Sequence, residues 1–96
     1  MSASLKGIRV LEMAQIMAGP TCGLLLADLG AEVIKIEKTP SGDDTRNFLP
    51  PEINGESAAF MMMNRNKKGI ALNLKDKDGI EIFKTMVKNS DVVLEN

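Results

Sequence analysis

Residues 8–36 read IRVLEMAQIMAGPTCGLLLADLGAEVIKI, and the spacing of their apolar residues decides the fold class. Ile8, Val10 and Leu11 form a short β-type run. The loop from Ala14 to Gly19 breaks it, and Pro20 then stands where a helix tolerates a missing N–H, in its first turn. Thr21 to Leu29 continues as that helix, and Gly30 supplies a left-handed stop. Val33, Ile34 and Ile36 follow, β-branched as a strand covered on both faces requires. Strand, helix and strand in so short a span form a crossover unit, which sets the two strands parallel.

Beyond this unit, Lys38 to Glu56 carries Pro40, Gly42, Pro50, Pro51 and Gly55, which is loop chemistry. A connection of that length inside a compact domain carries function or covers something. Ser57 predicts the cap of a short helix reaching Asn64, although the run Phe60 to Met63 has no amphipathic period. Ile70, Leu72 and Leu74 alternate with Ala71 and Asn73 as a third strand. Asp76 reads as the N-cap of a helix that sets Ile80, Ile82, Phe83, Met86 and Val87 on one face. Val92 to Leu94 opens a fourth strand, two residues before the chain stops. The β-α-β-α-β-α-β order predicts a Rossmann-like α/β fold with a mostly parallel sheet. Because such sheets place their ligand loops at strand tips, where this sequence stops, the expectation is that residues 1–96 are an incomplete part of a larger domain.

Composition narrows the function. Twelve Lys+Arg against thirteen Asp+Glu give a formal net charge of −1, so no field for nucleic acid or anionic lipid is built in. Gly23 to Ala27, interrupted by Asp28, is too short to span a bilayer, and the opening residues lack a signal peptide's apolar core. The lone Cys22 forms no internal disulfide, and with no histidine the usual zinc sets and histidine-activated nucleophiles are excluded. The expectation is a cytoplasmic protein with no metal.

The loop Gln15 to Pro20 lies where doubly wound folds bind phosphates, next to a helix N-terminus. It lacks the G-x-G-x-x-G spacing, so NAD and FAD are disfavoured and a plain tight turn is the alternative. Lys38, at the end of the second strand, stands where Rossmann folds select a ribose or its phosphate, and a cation there fits an added phosphate. A merely solvated lysine is the competing account. Arg46 is a second phosphate or loop-fixing contact, or an exposed ion pair with Asp43 or Asp44. In a parallel sheet Lys75 shares the ligand edge with Lys38, whereas Lys67 and Lys68 read as a solvated strand entrance. The methionine run fits core or interface packing better than an acyl channel, and Cys22 reads as an inert buried thiol. No pair of carboxylates marks a catalytic centre.

Six blocks, taken in order, resemble the opening of the CaiB/BaiF (family III) CoA-transferases: Leu5 to Glu12, Ala18-Gly19-Pro20, Leu26 to Glu37, Gly42 to Arg46, Asn64 to Lys68 and Asp91 to Asn96. The resemblance spans nearly the whole chain. It implies a Rossmann-like coenzyme A-binding domain in an interlocked homodimer, with CoA or acyl-CoA as substrate rather than a permanently bound cofactor. By position, Met17, Ala18, Lys38, Leu72, Asn73, Leu74, Lys75 and Asn96 match CoA contacts. The family passes CoA from an acyl-CoA to a carboxylic acid through an aspartyl-CoA intermediate. The nucleophilic aspartate is expected beyond Asn96, so no catalytic residue is assigned here. Met17 stands where some members carry glutamine, with Gln15 two residues earlier, and Lys38 stands where others carry arginine. Formyl-CoA and succinyl-CoA type transferases fit best. An acyl-CoA racemase of the same family and a non-catalytic nucleotide-binding fragment are the alternatives.

Overall fold

A computed structural model describes residues 3–96. The main sheet has four parallel strands: β1 (Arg9–Glu12), β2 (Glu32–Glu37), β5 (Lys68–Ala71) and β6 (Val92–Leu94), in the order β5-β2-β1-β6. Helix α1 (Ala18–Asp28) joins β1 to β2, and α3 (Lys77–Lys88) joins β5 to β6. The α/β class and parallel sheet agree with the sequence reading.

Each face of the sheet has its own core. In paired strands, in-register residues point the same way, so Val10 and Val33 lie together under α1 with Ala27 and Ala31. Leu11, Ile36 and Leu72 fill the other face beneath Phe83 and Met86 of α3. The five-residue apolar face expected of α3 is thus narrower: Phe83 and Met86 pack inward, while Ile80, Ile82 and Val87 are exposed.

Helix α1 approaches the sheet through small residues. Gly19, Pro20, Gly23, Leu24 and Ala27 are its buried side. Cys22 therefore faces outward and is exposed, which corrects its reading as a buried thiol. Leu25 and the C-cap Leu29 are exposed on that outer side together with Thr21 and Asp28.

The connection after β2 is more ordered than loop chemistry suggested. A 3₁₀ turn at Asp44–Asn47 is capped by the Asp43 carboxylate, which accepts from the Thr45 amide at 2.9 Å. Then β3 (Glu52–Ile53) and β4 (Glu56–Ser57) pair antiparallel across Asn54 and Gly55, both with positive φ. This is the two-residue hairpin turn that Asn-Gly favours. The Ser57 hydroxyl caps α2 (Ala58–Met63), accepting from the Phe60 amide at 3.2 Å. Met63 is buried, but Met61 and Met62 are exposed. Asp76 occupies the N-cap position of α3 without a side-chain capping bond. Strand β5 also starts and ends earlier than the alternation at residues 70–74 implied, which frees residues 72–75 to turn over the strand ends.

Candidate functional site

At the carboxyl ends of β1, β2 and β5 the sheet opens into a cavity of about 260 Å³. Lys38 and Thr39 enter it from the end of β2, Leu72, Asn73, Leu74 and Lys75 from the segment after β5, and Met13 and Gln15 from the segment after β1. The rim past β5 is shaped locally. The Leu72 amide still donates to the Glu37 carbonyl at 2.9 Å, after which the Asn73 carboxamide oxygen accepts from the Lys75 amide at 3.0 Å. Gly79 lets the first turn of α3 seat against Asn73: a Cβ built there would lie 1.9 Å from the Asn73 carbonyl oxygen.

The polar part of the lining is cationic at its mouth. Lys38 is exposed and pairs with Asp44 at 2.9 Å. Lys75 has no ion-pair partner among the described residues. Arg46 fixes the loop: its guanidinium donates twice to the Glu37 carboxylate, both at 2.7 Å, and lies 3.9 Å over the Phe60 ring. Of the readings the sequence left open for Arg46, this is the loop-fixing contact, made to Glu37 rather than to Asp43 or Asp44. Its hydrogen bonds hold the Glu37 carboxyl below its ordinary value, against the opposing effect of partial burial.

Beneath the cavity lies a feature the sequence reading missed. Glu12, Lys35, Asp43 and the side chain of Lys67 are almost wholly buried, and they form one chain of opposite charges. Lys67 meets Glu12 at 2.7 Å, Glu12 meets Lys35 at 3.1 Å, and Lys35 meets Asp43 at 2.8 Å. The ammonium groups also donate to the Ala14 and Pro20 carbonyls, at 3.0 and 2.9 Å. Two anions and two cations cancel, the condition under which such groups are tolerated away from water. Burial alone would push the Asp43 carboxyl up; the Lys35 and Thr45 hydrogen bonds outweigh it and hold the group low. Burial dominates at Lys67 and lowers its pKa despite Glu12. Lys67 is thus an interior ion-pair partner, not a solvated strand entrance, while Lys68 is exposed beside Glu32. A signal existed: Glu12 and Lys35 occupy the same inward phase as Val10 and Val33.

Other positions assigned from the sequence fall beside the cavity rather than in its lining. Met17 is exposed at the N-cap of α1, and Ala18 is that helix's first residue. Asn96 reaches back to Gln15, its side chain accepting from the Gln15 amide at 3.2 Å and donating to the Gln15 carbonyl at 3.1 Å. None of Met61, Met62 and Met63 lines the cavity.

With this geometry in place, the comparison with known proteins is decisive: the model of CoA-transferase family III matches residues 5–96. The chain belongs to that family. It is 49% identical over 92 residues to the succinyl-CoA:glutarate CoA-transferase of Mus musculus, covering 96% of this chain and 21% of that one. It is 42% identical over 96 residues to the formyl-CoA:oxalate CoA-transferase of Afipia carboxidovorans, covering all of this chain and 23% of that one. Among solved structures, a CAIB/BAIF family protein from Brucella suis superposes with a TM-score of 0.92 at 42% identity, over 100% of this chain and 26% of that one. The chain therefore spans about a fifth to a quarter of the length of these family III relatives. No helix among the described residues is long and apolar enough to cross a membrane.

Proposed function

We propose that this chain supplies the coenzyme A-binding start of a family III enzyme that transfers CoA between an acyl-CoA and a carboxylic acid. The observation that carries the reading is the placement of Lys38 and Lys75 on one cavity at the carboxyl ends of parallel strands. Open α/β sheets bind ligands at that edge. Two exposed ammonium groups over a partly apolar hollow suit a phosphorylated adenylate: Lys38 for the 3′-phosphate and Lys75 for the pyrophosphate. Leu72, Asn73 and Leu74 form the wall against the base. By family position Met17, Ala18 and Asn96 adjoin the same ligand.

The transferase names of the relatives above favour CoA exchange over α-carbon racemisation. In the exchange, an aspartate expected beyond residue 96 attacks the thioester carbonyl and expels the CoA thiolate, leaving a mixed anhydride. The thiolate then attacks the aspartyl carbonyl and releases the first acid, and the acceptor carboxylate repeats the two steps in reverse. On this reading the protein works as a homodimer and carries no permanent cofactor. None of the residues described here takes part in bond making; they hold the handle that keeps the thioester in place.

Calorimetric titration tests the reading. Lys38→Ala and Lys75→Ala should each weaken CoA binding about tenfold, the scale of one charge-assisted phosphate contact. Dephospho-CoA should bind the Lys38→Ala variant and the parent protein alike. Undiminished CoA affinity in both variants overturns the site.

A further inference from the structure

The loop after β1 contains a conformation that its sequence does not favour. Ile16 has φ +71°, in the left-handed region, where a β-branched side chain crowds the backbone. Packing does not explain it, because Ile16 is 43% exposed. Such outliers persist only where the surroundings over-determine them. Lys35 holds the Ala14 carbonyl and the Thr21 amide the Met17 carbonyl, but next to Ile16 itself it is the Asn96 carboxamide that takes both main-chain groups of Gln15, N–H and C=O, across 81 positions of sequence. The β1–β6 pairing brings it there, with the Met13 amide on the Leu94 carbonyl at 2.8 Å. Gly19 leaves it room: a Cβ on Gly19 would lie 3.2 Å from the Asn96 Cγ. Gln15 borders the cavity, and its side-chain Oε1 is buried with no hydrogen-bond partner among the described residues.

We propose that Asn96 is a positioning residue. Acting through the Gln15 main chain, it holds the loop in the left-handed turn at Ile16 and so keeps Gln15 at the cavity wall in the geometry that CoA meets. The proposal rests on the reading of that cavity as the CoA site. It differs from a direct contact between Asn96 and the ligand in one respect: the need for Asn96 depends on how poorly residue 16 tolerates positive φ. Asparagine enters the left-handed region far more readily than isoleucine. Position 16 is exposed enough for that exchange to leave the fold intact.

The test compares the parent protein, Asn96→Ala, Ile16→Asn and the double variant in the full-length chain, by CoA titration and by hydrogen exchange of the peptide containing Gln15. Asn96→Ala should weaken CoA binding about tenfold and speed exchange at the Gln15 amide by about the same factor. In the Ile16→Asn background, the same substitution should change affinity by no more than about twofold, a coupling only a shared mechanical role produces. An equal loss in both backgrounds overturns the positioning role, and so does an unchanged exchange rate at Gln15. If the parent protein fails to bind CoA, the assignment of the cavity falls, and the exchange measurement, made without ligand, still decides whether Asn96 holds the loop.

Discussion

Gly23 has no side chain, and the Glu12 carboxylate occupies the place where one would stand. A Cβ added there would lie 1.8 Å from the Glu12 Oε1 and 3.4 Å from the Lys67 Cε. Neither neighbour is free to move, since each is held in the buried ion chain. Gly23→Ala should therefore destabilise the protein by about 3 kcal/mol, the upper range of overpacking, rather than stabilise it as alanine does on an open helix face. Urea denaturation measures the difference, and an increase in stability would show that Glu12 has another place to go. Gly23 illustrates what was and was not legible at this scale. Its helix was evident from Pro20 and Gly30, but the reason for a glycine inside that helix was not, because it is a contact with a strand residue eleven positions earlier. Lys67 was misread for the same reason. Beside Lys68 and Arg65 it looks like one of three solvated cations, and only the close approach of α1 to the sheet makes it an interior one.

Between elements, the ion chain ties the end of β1, the middle of β2, the connection after β2 and the entry to β5 at one point. Removing one member leaves its partner buried and uncompensated, whereas removing a matched pair does not. Lys67→Met should destabilise by about 3 kcal/mol, and Glu12→Leu combined with Lys67→Met should recover at least half of that loss. Equal losses in the single and double variants would mean that the Lys67–Glu12 contact is not the stabilising one. The elements differ in how plainly the sequence declares them. Strands β1, β2 and β6 declare themselves through β-branched runs, and the Ser57 cap predicts α2. The β3–β4 hairpin was overlooked although Asn54-Gly55 is a strong turn signal, because strands of two residues following Pro50 and Pro51 show no alternation. For the candidate site, Lys38 and Lys75 were legible from strand direction alone. The loop of Gln15 and the loop-fixing role of Arg46 were legible too, but their partners were not, since Gln15 is held through Asn96 and Arg46 through Glu37 and Phe60, which stand on separate elements.

For the molecule as a whole, acid is the condition to which this arrangement is most sensitive. Asp43 and Glu37 both titrate below their ordinary values of 3.8 and 4.5 in the folded chain, and Asp28 beside Arg65 and Glu32 beside Lys68 are lowered too. The unfolded chain consequently takes up protons at higher pH than the folded one. The contribution of these groups is complete above the ordinary carboxylate range and is lost as pH falls through it and below. Urea midpoints measured from pH 7 downward should stay level until about pH 5 and then drop, and Glu37→Gln should flatten the drop. A profile unchanged by that substitution would remove Glu37 from the acid response. The strand order has a further consequence, in time rather than in space. Residues 9–37 hold both strands and the helix of the first crossover unit, so that unit can begin to organise as it leaves the ribosome. The turn at Ile16 cannot, because the side chain that fastens it, Asn96, lies two residues beyond β6. During synthesis the hollow must stay unfinished until Asn96 arrives, so a nascent chain captured before that point should already have a sheet and yet give coenzyme A nothing shaped to grip.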